Sequence, residues 1–414
     1  MTMSARMVFR SFKGFNYRVW AGGAFISNIG TWVQRTGQDW LVLTQLTQHD
    51  ARMVGIVMAL QFAPQLLLLP WTGFAADHFN QRKMLMVTQG LMGILALGLG
   101  ALTVLGHVTL WQVCIFAFLF GCVAAFDAPV RQTFVTELVG DDDLQNAVAL
   151  NSTSFNAGRM IGPAVAGIVI ASVGTGWAFL INGFSFVTVL ISLAFLRVRE
   201  LRPNARAARA RGSFVEGFRY VWNRPDLRTI MLMLLLIGTF GLNFPIFIST
   251  MAVSVFHVDA QGYGLLSSAL ALGTVSGALL AASRDTPRMD LLIWGAALFG
   301  IGCLLAALAP TYWLFAATLV MTGGAVLTFI STANALIQLT TTPAMRGRVM
   351  ALRMSVTMGS TPIGAPIIGL VATHMGPRWA LVFGALSGVA AATVALLAML
   401  RTRKERASES PPPT

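Results

Sequence analysis

Long apolar runs alternate along the chain with short polar breaks, at 19–46, 55–76, 84–105, 108–126, 147–173, 177–196, 230–256, 263–283, 291–309, 313–337, 349–373 and 379–400. A helix needs about 20 apolar residues to cross the hydrocarbon core of a bilayer, so the pattern predicts an all-α membrane protein with about twelve spans. The largest polar break, 197–228, separates the runs six and six. The expected organisation is an N-terminal six-helix bundle over 1–196, a cytoplasmic linker over 197–228, a C-terminal six-helix bundle over 229–400 and a disordered tail over 401–414. Within the linker, Phe214, Phe218, Tyr220 and Val221 predict a short amphipathic helix on the anionic inner leaflet; a solvated hinge is the alternative. No cleaved signal peptide is evident, and the first run is expected to serve as its own insertion signal.

The two halves carry an internal echo. A shift of 202 residues places Leu150 on Leu352, Gly162 on Gly364, Gly167 on Gly369, Gly174 on Gly376 and Trp177 on Trp379. A duplicated six-plus-six membrane chain is a transporter architecture, in which substrate is expected near the bilayer midplane between the halves.

Composition narrows the class. The chain is 56% hydrophobic and only 11% charged, against about 25% charged for a soluble protein. A net charge of +13 invites a nucleic-acid reading, but the basic residues sit in short clusters between apolar runs rather than on one face. With both termini cytoplasmic, 25 of the 29 Lys and Arg fall in inside segments, and only Arg52 and Arg378 fall outside. That bias fixes the orientation by the positive-inside rule. Arg outnumbers Lys 26 to 3, which fits a bacterial source and hence the inner membrane. Cys114, Cys122 and Cys303 lie in apolar runs without paired spacing and are expected to be packing residues rather than metal or redox groups.

Polar residues inside the runs carry the candidate chemistry. Arg35 and Asp39 stand four apart in the first run, on one helix face with Asn28 and flanked by Gln38. A charge facing lipid at mid-helix costs about 2.5–3.5 kcal/mol even on permissive scales, so this stripe is expected to face an interior cavity. Gln61 and Gln65 on the second run and Arg159, halfway along the fifth, are expected in the same lining. Asp39 reads as the one acid deep within a run, with Asp77 and Asp127 at inner ends, and is the candidate for proton coupling or substrate contact; a fixed structural pair with Arg35 is the alternative. Two interior Arg against one acid hint at anionic or mixed-charge substrates.

Two further motifs lead to a family. Between the second and third runs stands GFAADHFNQRK, with Gly73, Asp77, Arg82 and Lys83. This resembles the loop signature of the major facilitator superfamily, with His78 and Asn80 departing from its pattern. Asp77 is expected at a helix N-terminus, and Arg82 and Lys83 at lipid phosphates or paired with Asp127. Together with Arg131 these residues would form a conformational gate. The run NAGRMIGPAVAG, with Gly158, Gly162, Pro163 and Gly167, resembles the antiporter motif of exporters in that superfamily; generic close packing is its alternative. The stretches SNIGTWVQRTGQDWLVLTQL and FDAPVRQTFVTELV are similar to the branch labelled transmembrane secretion effectors, which includes exporters similar to the enterobactin exporter. The resemblance implies the major facilitator fold, with twelve helices in two pseudo-symmetric bundles.

No phosphate-cradling G-x-x-x-x-G-K-[ST] or H-E-x-x-H occurs in the sequence, so neither ATP hydrolysis nor metal or cofactor chemistry is expected. The expected function is proton-coupled export of a small amphiphilic molecule, drug or siderophore-like, by a monomer that works by alternating access in the bilayer. Proton-coupled import and a non-transporting receptor or scaffold are the rivals. The orientation has a direct check: green fluorescent protein fused after Thr414 will fluoresce and alkaline phosphatase fused there will be inactive, and the reverse pattern would invert the topology.

Overall fold

The computed structural model describes residues 9–202, 214–282 and 287–409. Fifteen α-helices are described and no strand: α1 Phe15–Trp40, α2 Ala51–Leu67, α3 Leu69–His78, α4 Gln81–Val104, α5 Leu110–Leu138, α6 Asp141–Val173, α7 Thr175–Ala194, α8 Phe214–Trp222, α9 Pro225–Leu236, α10 Phe244–Thr250, α11 Ala260–Ala282, α12 Met289–Leu308, α13 Tyr312–Thr340, α14 Pro343–His374 and α15 Pro377–Glu409. Ten segments among the described residues are long and apolar enough to cross a membrane. The first run is α1, rich in polar residues, ending in a π-helical turn at Leu41–Leu46. The second run breaks into α2 and α3 at Leu68, two residues before Pro70, which cannot donate the backbone hydrogen bond that would continue α2; Pro64 stays inside α2. The seventh is likewise interrupted by π-helical turns at Ile237–Gly241 and Met251–Val255.

The chain divides into two compact units, one of residues 1–209 with His257–Ser268, the other of 210–256 with 269–414. In the first, α7 is the central strut. Gly23, Gly30 and Gly37, spaced by seven on α1, each bring the α1 backbone against α7, at Ser192, at Ser185 with Asn182, and at Ala178. On the other face of α7, Gly176 and Gly183 seat Val104 and Leu97 of α4. Helices in lipid associate through close packing and hydrogen bonds rather than through a hydrophobic driving force, and small residues at a constant step permit both. A hydrogen bond follows the same seam, Asn182 donating to Gln34 at 2.6 Å, while Tyr17 ties α1 to α6 by donating to the Ala147 carbonyl at 2.9 Å. In the second unit, α12 packs between α13 and α15, with Gly300 and Gly388 backbone to backbone.

The internal echo has a structural counterpart. Gly174 and Gly376 have φ of +94° and +101°, and each stands one residue before α7 or α15. Both use the left-handed region, which glycine enters without steric cost, to turn the chain from one helix into the next.

The amphipathic linker helix is α8, but its faces differ from the expectation. Val215, Phe218 and Trp222 point outward, Phe218 stacked on Trp222 at 5.6 Å. Val221 is buried, Gly217 abuts Arg348 of α14, and Tyr220 accepts from the Thr342 amide. The helical step sets 217 and 221 on the inner face and 215, 218 and 222 on the other. Phe214's side chain, linker residues 203–213 and the end of the tail, 410–414, lie outside the described residues. Residues 401–409 of the expected tail are helical, continuing α15, as the helix-favouring run RTRKERASE allows.

Close backbone approach carries a testable cost. A methyl group on Gly121 would overlap the Gln61 carbonyl where α5 meets α2, whereas Gly90 has nothing within 4 Å. Gly121→Ala should therefore lose about 1–3 kcal/mol of stability, read as an earlier thermal transition in detergent, and Gly90→Ala should not. Equal transitions in the two variants would contradict the packing.

Candidate functional site

A cavity of about 680 Å³ lies within the first unit, walled by α1, α2, α4, α5, α6 and α7. Asn28, Arg35, Gln65, Asp127 and Arg131 reach it, among aromatic side chains that include Trp32, Phe62, Phe120, Phe155 and Phe186. The size falls within the range of small-molecule pockets, and the wall is mixed, with Thr31, Gln132, Asn151, Ser152 and Asn156 adding to its polar groups.

Its polar floor is a network centred on Asp127. One carboxylate oxygen accepts from Thr88 and Gln89, both at 2.7 Å. The other takes both Nε and Nη2 of Arg131, at 3.1 and 3.0 Å. Arg131 also donates to Asn28 Oδ1 at 3.4 Å, and Asn28 donates to Ser154 at 3.0 Å. The network thus ties α1, α4, α5 and α6 together around a buried acid. This corrects the expectation for Asp127, placed at an inner end facing Arg82 or Lys83. Helix α5 continues past it to Leu138, so Asp127 is an interior residue, 4% exposed. It joins Asp39 as a deep acid. Arg131, one turn on, is the only cation positioned to neutralise it among the described residues. Arg82 instead donates to the Leu193 carbonyl at 2.7 Å, closing the end of α7, and Lys83 uses its backbone amide on Asn80. Gly73 and Asp77 lie in α3; the Asp77 side chain is outside the described residues.

Arg35 and Asp39 attract each other only at a distance. Among the described residues they form no ion pair. The Arg35 guanidinium lies over the rings of Trp32 and Phe62, at 5.0 and 5.5 Å from their centroids, and its Nε is buried without a hydrogen-bond partner. Asp39, 8% exposed, accepts from the Tyr263 hydroxyl at 3.4 Å, and Tyr263 stacks on Trp40 at 5.9 Å. Four residues carry Asp39 about 6 Å further along the helix, outside the cavity lining. The expected single polar lining is therefore divided. Asn28, Arg35 and Gln65 border the cavity, but Gln38 turns toward α2 and donates to Gln61 at 3.2 Å, both buried. Adjacent helix positions differ by about 100°, so Gln38 cannot share the face of Asp39. Arg159 stands over Trp32 at 5.6 Å without lining the cavity.

The glycine motif on α6 makes two contacts. Gly158 and Gly162 admit α1 at Asn28 and Trp32. Gly167 lies against the Ala260 carbonyl, Gly264 lies against that of Pro163, and Ser268 donates to the Met160 carbonyl at 2.8 Å. Residues 257–268 thereby dock on α6, and Tyr263 reaches Asp39 from that dock. Neither Tyr263 nor the role of Arg131 toward Asp127 was anticipated; the i, i+4 spacing of Asp127 and Arg131 was the available signal.

Comparison with known proteins agrees with this architecture. The family model described as transmembrane secretion effector matches residues 9–413. An enterobactin exporter of Citrobacter koseri is 25% identical over 381 residues, 90% of this chain and 88% of the relative. A staphyloferrin A transporter of Staphylococcus aureus is 26% identical over 260 residues, 62% of this chain; the match spans less than two thirds of that relative's length, 64%. The inward-facing, unoccupied crystal structure of a bacterial homologue of the human lysosomal transporter Spinster superposes with a TM-score of 0.71 at 16% identity, over 93% of this chain and 95% of the other. This likeness establishes the major facilitator fold.

The Asp127 network should behave as a unit. Arg131→Met strips a buried carboxylate of its cation and should cost about 3 kcal/mol, near the low end for breaking a buried pair because Arg131 stands at a cavity wall. Adding Asp127→Asn should recover most of that loss in a detergent melting series. Strict additivity of the two substitutions would contradict the coupling.

Proposed function

The chain belongs to the transmembrane secretion effector family, and from that premise we propose that it is a proton-coupled exporter of small amphiphilic molecules that works by alternating access from the bacterial inner membrane, as a monomer with both termini in the cytoplasm. It is a membrane transporter by family, and export is the activity named for the enterobactin relative. The observation that carries the coupling reading is Asp39, a buried acid of α1 with no ion pair among the described residues, which holds Tyr263.

Its place explains how a proton would do work. Residues 257–268 rest on α6 and α1 through small-residue contacts and hydrogen bonds. Among them, Tyr263 to Asp39 is a bond with an ionisable acceptor. A hydrogen bond to a carboxylate is roughly twice as strong as one between neutral groups. Taking up a proton at Asp39 weakens this hold and lets residues 257–268 leave the dock; losing it restores the hold. Proton exchange is thereby tied to whether residues 257–268 stay docked on α6 and α1. In this scheme Gly73, Asp77, Arg82 and Lys83 serve the cytoplasmic side as a gate, Arg82 through its bond to the end of α7. The substrate occupies the cavity at Asn28, Arg35 and Gln65, supported on the Asp127 and Arg131 network.

An untargeted comparison of cells with and without the gene will identify the compound retained inside. In vesicles carrying the purified protein, a pH gradient will drive that compound out. Asp39→Asn will lose gradient-driven efflux by tenfold or more while keeping gradient-independent exchange. Undiminished gradient-driven efflux in the variant would remove Asp39 from the coupling role.

A further inference from the structure

We propose that the cavity of the first unit is selective for anions, and that its ligand is a ring-bearing amphiphile whose single acidic group, a carboxylate or an acidic phenol, lies against Arg35. This rests on the reading that the cavity holds the transported molecule, and it adds the chemical class of that molecule.

Among the described residues, three charged side chains border the cavity: Arg35, Asp127 and Arg131. Two of them cancel. Each oxygen of Asp127 already accepts two hydrogen bonds, one pair from Thr88 and Gln89 and the other from Arg131. A cationic ligand therefore finds no acid at the wall with capacity left to hold it. Arg35 is different. It has no ion pair among the described residues, and its buried Nε meets no acceptor. Trp32 and Phe62 face the guanidinium and steady its charge through their ring quadrupoles, but ring faces do not satisfy donors that lie in the guanidinium plane. Asp39, the acid next along α1, is engaged by Tyr263. Arg159, on the same Trp32 ring, adds a second positive charge nearby and has no ion pair among the described residues.

Arginine cannot relieve this by losing its proton under ordinary conditions. Its planar fork of donors matches a carboxylate in two parallel hydrogen bonds, so an acidic group is the ligand feature that completes the site. The uncharged part of the wall mixes polar side chains, among them Gln132, Asn151 and Asn156, with an aromatic part that suits the body of the ligand. Phe120 lies against Phe186 at 6.2 Å, Phe155 against Trp32 at 5.9 Å, and Met92 lies beside them, surfaces suited to rings and alkyl chains.

Three probes with one pyrene body isolate the head group: pyrenebutyrate, pyrenebutanol and pyrenebutylamine. Equilibrium dialysis against the purified full-length protein in nanodiscs, without any gradient, should show pyrenebutyrate binding about tenfold or more tighter than the alcohol, the gain expected of a hydrogen bond to a charged group, and the amine binding weakest. Arg35→Gln should bring the acid's affinity down to the alcohol's, and Arg35→Lys should retain part of the preference. Equal binding of the three, tightest binding of the amine, absence of saturable binding by any of them, or a preference that survives Arg35→Gln would overturn the proposal. Should Arg35→Gln fail to fold, the wild-type ranking and Arg35→Lys decide. Binding is read without proton movement, so loss of proton-coupled export in the vesicle assay leaves this result standing, and failure here leaves that one intact.

Discussion

In hydrocarbon, a polar side chain without a partner has no water to turn to, so each one must be satisfied by the protein or exposed to a wet cavity. The first helix is where that constraint bears hardest. Asn16 exchanges hydrogen bonds with the backbone of Arg197, Tyr17 with α6, Gln34 with α7, Gln38 with α2 and Asn28 with α5 and α6. Each satisfied group also fixes a neighbour, so the polarity of α1 becomes the scaffold of the first unit. Against this background three buried groups of α1 meet no partner among the described residues, Ser27 Oγ, Trp32 Nε1 and Arg35 Nε; Trp32 and Arg35 border the cavity, and of the three only Arg35 carries a charge.

The same economy governs the backbone. Glycines at a step of seven let α1 lie against α7, and those of α6 admit α1 on one stretch and residues 257–268 on the next. Close approach shortens the reach for side-chain hydrogen bonds, so the packing and the polar network stabilise each other. The 257–268 dock adds a large buried ring to its small-residue contacts, Tyr263 stacked on Trp40, so leaving the dock exposes that ring as well as breaking the bond to Asp39. The α1 and α7 seam is held by the buried, bonded pair Gln34 and Asn182.

Much of this was legible in the sequence because membrane helices must be apolar, and departures from that rule stand out. Asn28, Arg35, Asp39, Gln38, Gln61 and Gln65 are all visible as such departures, and the glycines of α6 as a stripe. What the periodicity does not carry is side-chain direction. Arg35 and Asp39 share a face, yet the long Arg side chain reaches Trp32 and Phe62 while the short Asp meets Tyr263, 224 positions away in the chain. Asp127 was misread because a helix leaving the apolar zone resembles one that ends there; only its burial beneath Thr88 and Gln89 of α4 reveals an interior acid. The break at Leu68 leaves no trace in hydropathy, which is blind to a backbone bend.

Transport as proposed depends on the first unit's cavity being a water-filled station for substrate, with Arg35 at its wall. Thr31 lines that cavity on α1. In a chain whose Cys114, Cys122 and Cys303 are replaced by Ser, Thr31→Cys should react with a water-soluble, membrane-impermeant maleimide, and pyrenebutyrate should slow the reaction in a concentration-dependent way. A cysteine there that stays unreactive in the folded protein, from either side of the membrane, would show the cavity sealed from water and contradict the account.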